Sequence, residues 1–377
     1  MHLISKFILY FFFSLVALPL IAQYNLTIQV TFSPADTKDI FIAGNFNEWS
    51  PGKAAYRLEK QADNSYAITL TNMIAAEYTF KFTQGNWEKV ETTNNGTDIL
   101  NRIVVLNKDT TIVCTIAAWK KEGTQAPGKN TASANVSIID TAFPLKYLHR
   151  TRRIWVYLPH DYEQGKKKYP VLYMHDGQNL FTESTAPFGE WGIDEALDSL
   201  QKKLPHDMIV VGIDHGKDKR MNEYNPYDND TYGKGEGDAY ATWLIEELMP
   251  YINKRYRTKK TVNYIAGSSM GGLISMYIFL KHPKVFSGAG VFSPSFWLTP
   301  RMADEAKGYT YKKARKIFFY AGGKESTTMV NNMRDISTIM AAKYNVQIKE
   351  IVIQEGMHNE AAWRSIFPSF YTWLTGK

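Results

Sequence analysis

A chain of 377 residues with 44% hydrophobic and 21% charged side chains can fill two folded domains and is too rich in core-forming residues to be disordered. Its net charge of +7 is modest, and the basic clusters Lys166–Lys168 and Lys254–Lys260 flank predicted turns and helix ends, so they read as solvated surface and not as a nucleic-acid footprint. Cys114 is the single cysteine, which excludes an intramolecular disulfide.

Taken in chain order, the sequence opens with Lys6 and an apolar run from Phe7 to Ile21, followed by the small residue Ala22. One positive charge before a short apolar core is the pattern of a secretory signal peptide, assigned to residues 1–22 with Gln23 as the mature N-terminus. No cysteine lies near the cleavage region to carry a lipid. The mature protein is expected to be secreted or periplasmic and free of the membrane.

Residues 23–120 alternate polar and apolar in short runs: Leu26 to Phe32, Ile40 to Ala43, Tyr66 to Leu70, Tyr78 to Phe82, Ile103 to Leu106 and Thr111 to Ala117. Turn-forming residues separate them, and this spacing predicts an all-β sandwich. Cys114 falls on the inward face of the last run and is expected to be a buried, inert thiol. Residues 121–135, KEGTQAPGKNTASAN, are small and polar and read as a linker.

From residue 136 to 377 apolar strands alternate with amphipathic segments. Predicted strands are Ile154–Leu158, Val171–Met174, Met208–Ile213, Tyr264–Ala266, Gly288–Phe292, Ile317–Tyr320 and Ile348–Ile353. Predicted helices are Glu195–Lys203, Tyr240–Tyr256, Gly272–Lys281, Met329–Tyr344 and Glu360–Leu374. Strands such as Val171–Met174 are apolar throughout, as expected when helices cover both faces. The class is α/β with a mostly parallel sheet.

Gly267-Ser268-Ser269-Met270-Gly271 matches G-x-S-x-G, a weak pattern alone. A strand-like Asn263–Ala266 ends at it and a helix begins after it, which is the setting of a nucleophile elbow and makes Ser269 the candidate nucleophile. Two histidines follow. His282 ends the next helix, whereas His358 lies past the last strand and before the last helix, where a general base is delivered. Glu325, in the glycine-rich turn after Ile317–Tyr320, is the choice for the acid; Asp335 falls inside a helix and Asp304 lies one strand early. The Met270 N–H and the Gln178 N–H, the latter in His175-Asp-Gly-Gln-Asn179, are the expected oxyanion donors. His175 and Asp176 are read as loop-holding residues.

Together these residues resemble the esterase family that contains feruloyl and acetylxylan esterases, enterochelin esterases and mycolyltransferases. The likeness runs from Val136 to Lys377 and rests on His175–Asn179, Gly192-Ile-Asp-Glu195, Gly212-Ile-Asp214, the Gly-Ser-Ser-Met-Gly-Gly elbow, Ser293-Pro-Ser-Phe-Trp297 and Gly356–Trp363. It implies the α/β-hydrolase fold and a Ser-acid-His triad without metal or organic cofactor. Residues 23–120, through Ile40–Pro51, Tyr78–Phe82 and Gly85-Asn-Trp87, resemble the glycogen- and starch-binding modules of immunoglobulin-like fold, on whose sugar-gripping positions Trp49, Lys81 and Trp87 fall. Trp49 could equally fill the core of that domain.

The polar insertion from His215 to Asp238 contains Tyr224, Tyr227 and Tyr232 and is expected to form a mobile lid facing substrate. Trp297 and Trp191 are candidates to line the acyl or sugar pocket, or to pack. A sugar-binding-like domain joined to an exported esterase points to acetyl or feruloyl esters of xylan. The alternatives are a siderophore esterase, an acyltransferase, and a carbohydrate-binding protein on a retired hydrolase scaffold.

Overall fold

The computed structural model describes residues 22–376 except 48, 97–98, 121–127, 187–188, 202–206, 231 and 327. The predicted signal peptide, apart from Ala22, and the first half of the predicted linker lie outside these residues.

The N-terminal part is all β. A four-stranded sheet runs in the order Glu59–Lys60, Tyr66–Ile74, Gln23–Phe32, Thr110–Thr115, and a three-stranded sheet in the order Phe41–Gly44, Ala76–Thr83, Arg102–Leu106. Leu26, Ile28 and Val30 from one sheet and Ile42, Phe80 and Phe82 from the other bury together in one core, while alternate residues such as Val113 face outward. Cys114 is buried among them, and burial pushes its thiol up. The two-residue strands Glu59–Lys60, Glu91–Thr92 and Ala118–Trp119 carry no readable alternation and were not predicted.

The second part is built on one eight-stranded sheet. Its strands are β1 (Val136–Leu145), β2 (Arg150–Tyr157), β3 (Tyr169–His175), β4 (Ile209–Ile213), β5 (Thr258–Ser268), β6 (Phe286–Phe292), β7 (Arg315–Gly322) and β8 (Val346–Ile353). They lie in the order β1-β2-β4-β3-β5-β6-β7-β8, antiparallel at β1-β2 and β2-β4 and parallel from β4 onward. Helices α1 (Ile193–Gln201), α2 (Arg220–Glu223), α3 (Gly237–Trp243), α4 (Met249–Arg255), α5 (Met270–Lys281), α6 (Met302–Gly308), α7 (Met329–Ala341) and α8 (Glu360–Thr375) follow the strands. A five-residue π turn joins α3 to α4, so the single helix predicted for Tyr240–Tyr256 continues through a wider turn. The central strands β3 and β6 and the second half of β5 are almost wholly buried, with separate hydrophobic clusters on the two faces. Parallel strands all end at one edge, so the loops after β3, β5, β6, β7 and β8 meet there.

Residues 128–135, the described part of the predicted linker, are tied by hydrogen bonds to the segment around α1. Thr131 donates to Glu190 and its N–H to Thr182 Oγ1, the Ser133 N–H donates to Asp194 at 2.6 Å, and Asn135 donates to Asp198. Short polar side chains that bury nothing can still satisfy acceptors on α1 and the loop before it, which composition does not reveal. Among the described residues no helix is long and apolar enough to cross a membrane.

Candidate active site

Ser269 stands between β5 and α5 with φ 57° and ψ −122°, a region that an L-residue occupies only under constraint from its surroundings. The constraint is visible. Gly267 lies so close to Gly271 that a Cβ on it would sit 2.7 Å from the Gly271 carbonyl, so strand and helix cross with no room for a side chain. The Ser269 N–H donates to the Phe292 carbonyl at the end of β6, and the Ser269 carbonyl accepts from Ser295 N–H at 3.1 Å. Those bonds hold the hydroxyl at the sheet edge, beside the N-terminus of a twelve-residue helix whose first N–H groups have no intrahelical acceptor. The Ser295 hydroxyl oxygen lies 3.3 Å from that of Ser269.

The loops after β7 and β8 are built as a pair. Gly322 and Gly356 are in backbone contact, Gly323 N–H donates to the Ile353 carbonyl, and Lys324 N–H donates to that of Gly356. This brings Glu325, whose side chain is fully buried, within 2.9 Å of His358 Nδ1 through Oε2. Its other oxygen, Oε1, accepts from Ser293 Oγ and from Gly322 N–H, each at 2.6 Å. Ser293, itself at φ 43°, accepts from Trp363 Nε1 at 2.9 Å, and the Trp363 ring meets His358 edge-on at 5.1 Å between centroids. The imidazole is therefore fixed at Nδ1 and along one face, while 31% of its side chain stays accessible. A buried carboxylate with three hydrogen-bond partners is held in one orientation.

The loop after β3 approaches the elbow from the other side. Asp176 adopts the left-handed conformation at φ 58° and opens a short 3₁₀ turn, Gly177–Asn179, that carries Gln178. Gly177 packs so tightly on Gly212 and Ile213 of β4 that a Cβ would be 2.7 Å from the Ile213 nitrogen. The Gln178 side chain accepts from His215 N–H and its carbonyl accepts from Thr185. Below it His175 is buried, with Nδ1 3.0 Å from the Tyr240 hydroxyl, and burial pushes its imidazole down to about 4. His175 is thus a neutral packing residue facing Tyr224 and Tyr240, in line with the loop-holding reading.

Ser269, Glu325 and His358 thus follow the ends of β5, β7 and β8, and Phe292, Ser293 and Ser295 at the end of the intervening β6 join them. Trp297 is half-buried on the 3₁₀ turn Phe296–Leu298, two residues past Ser295. Two residues expected to face substrate do not. Tyr224 is wholly buried between Tyr240 and His175. Trp191 is 2% exposed, stacked on Trp363 and edge-on to Phe292, where it backs the histidine loop. The insertion is not a loose lid either. Glu223, fully buried, pairs with Arg150 and Arg152 of β2, Glu236 pairs with Arg150, and Arg220 pairs with Asp176. An aromatic, glycine-rich stretch looks mobile in sequence, but these pairs join residues tens of positions apart. In the N-terminal part Trp49 and Trp87 are half-buried with ring centroids 6.3 Å apart, and Lys81 lies on Ala76–Thr83 opposite Ala43. Sequence reasoning gave no role to Ser293, Trp363 or Arg220; Ser293 and Trp363 lie inside the motifs that carried the family resemblance.

Comparison with known proteins agrees with this architecture. The family model described as "Putative esterase" matches residues 146–373. The uncharacterized protein YbbA of Bacillus subtilis is 30% identical over 156 residues, 39% of this chain and 58% of that protein. An endo-1,4-beta-xylanase/feruloyl esterase of Xylanibacter ruminicola is 28% identical over 216 residues, 55% of this chain and 27% of that protein. The chain thus spans little more than half, and about a quarter, of the lengths of these two relatives. The crystal structure of the enterobactin esterase of Shigella flexneri, solved in the presence of enterobactin, superposes with a TM-score of 0.52 at 15% identity, over 90% of this chain and 88% of that one. At that identity the likeness speaks for the fold alone.

Proposed function

The chain belongs to the esterase family of the α/β-hydrolase fold, and we propose that it is an exported serine hydrolase that cleaves acetyl or feruloyl esters carried on plant polysaccharide such as xylan. The observation that carries the reading is the hydrogen-bonded chain Trp363–Ser293–Glu325–His358 beside a strained Ser269. In the proposed mechanism Ser269 Oγ attacks the ester carbonyl carbon as His358 Nε2 takes its proton. Glu325 holds Nδ1–H and stabilises the imidazolium. The oxyanion is received by the N–H groups of Met270 and Gln178. Collapse releases the alcohol, which takes the proton from His358. Water, activated by the same imidazole, then frees the acid and regenerates Ser269.

For its organisation we propose a signal peptide at 1–22, an immunoglobulin-like carbohydrate-binding domain at 23–120 with Trp49, Lys81 and Trp87 as its sugar face, a connector at 121–135 and the catalytic domain at 136–377. The feruloyl esterase relative supports a polysaccharide ester as substrate. A siderophore ester is the second reading, because the esterase family that the sequence resembles also contains enterochelin esterases. Parallel assays on methyl ferulate, acetylated xylan and ferric enterobactin separate them. Turnover of either of the first two is expected; turnover of the siderophore alone would move the assignment to that class.

A further inference from the structure

Arg220 lies in the insertion and belongs to none of the nucleophile, base and acid, yet it is tied to the loop that carries Gln178. Its Nε donates to Asp176 Oδ1 and its Nη2 to Asp176 Oδ2, both at 2.8 Å, which is the two-pronged geometry only a guanidinium provides. The partner is not an ordinary surface acid. Asp176 is 6% exposed, sits in the left-handed region, and its N–H is capped by the buried Tyr224 hydroxyl at 3.4 Å. Burial opposes its charge, yet the Arg220 guanidinium holds its carboxyl below the usual range.

Asp176 also touches the elbow. A Cβ on Gly271 would lie 3.1 Å from Asp176 Oδ2 and 3.2 Å from His175 Cβ, so the carboxylate rests against the first turn of α5, one residue past Met270. The same helical turn is anchored a second time: Glu223, three residues beyond Arg220, is held by Arg150 and Arg152 of β2. A rigid line runs from β2 through Glu223 and Arg220 to Asp176, whose carboxylate stands between the two segments that present the Met270 and Gln178 N–H groups.

We propose that Arg220 is a positioning residue: by gripping Asp176 it sets the left-handed turn that aims the Gln178 N–H toward the same point as the Met270 N–H. This rests on the serine hydrolase reading above. It gives the insertion a function other than that of a lid, since a group acting on the oxyanion acts on the transition state more than on bound substrate. Misaiming one of two donors should cost up to about the 10²–10³-fold in kcat seen when a donor is removed, with little change in KM.

The test uses the full chain and 4-nitrophenyl acetate. Active sites are counted by end-point labelling of Ser269 with a fluorophosphonate, so that kcat refers to folded sites only. Arg220→Ala is expected to lower kcat per labelled site at least about tenfold with KM within about twofold, and added guanidinium ion to restore part of it. Arg220→Lys, which keeps the charge but loses the fork, is expected to fall in between and serves alone if the alanine variant labels no sites. An unchanged kcat per labelled site, or a rise in KM with kcat preserved, would overturn the clamp. Ser269→Ala in the parent chain is the separate control: turnover that survives there strikes down the hydrolase reading and the clamp with it, whereas normal Ser269 dependence with an indifferent Arg220 removes the clamp alone.

Discussion

The imidazole of His358 is held at one nitrogen and left partly accessible, and the hold is Glu325, whose other oxygen accepts from both Ser293 and Gly322. A glutamine at 325 can still occupy the space but accepts at one oxygen only, and its amide can impose the wrong tautomer on the ring. Glu325→Gln is therefore expected to lower kcat on 4-nitrophenyl acetate by about 10²–10⁴-fold with KM nearly unchanged. Ser293→Ala removes one of three donors to the carboxylate and should fall in the same direction by a smaller factor; equal activity to the parent in either variant would contradict the assignment. Ser269, His358 and Glu325 were legible as candidates because each follows a predicted strand, and the structure brings the last two within 2.9 Å. Ser293 could not be given its role, because its partners Glu325 and Trp363 lie 32 and 70 positions away.

Among the elements, the insertion and the connector differ most from their sequence reading, for the same reason: both are polar and held by charge pairs and hydrogen bonds between distant residues. Removing Glu223 leaves Arg152 buried without its partner, so Glu223→Ala is expected to cost about 3–5 kcal/mol, read as a lower urea midpoint. The connector offers a pH signature. Asp194, on α1 beneath Ser133, is buried, and burial raises its carboxyl from 3.8 to about 7. Between those values the folded state binds more protons than the unfolded one, so the stability present at low pH is lost as pH rises through about 7. An asparagine escapes that loss. The gap in Tm between Asp194→Asn and the parent should widen in favour of the variant from about pH 5 to about pH 8; a gap independent of pH would show that Asp194 titrates normally in the fold.

For the whole molecule, alternating short strands followed by continuous apolar strands spaced by helices were enough to place an all-β part before an α/β part, because periodicity reports burial directly. The antiparallel strand β1 went unseen: Val136–Leu145 is largely exposed and lacks the apolar run that marked the others. If the first part is the polysaccharide-gripping unit, Trp49→Ala together with Trp87→Ala should reduce retention on insoluble xylan severalfold while hydrolysis of 4-nitrophenyl acetate is unchanged, since the two functions use different residues. Unchanged retention would leave that pair as packing. The central claim is that one serine at the end of β5 carries the chemistry. Its most direct test is turnover of 4-nitrophenyl acetate by purified Ser269→Ala beside the parent: the account predicts hydrolysis in the parent and none above background in the variant, and comparable hydrolysis in both would contradict it.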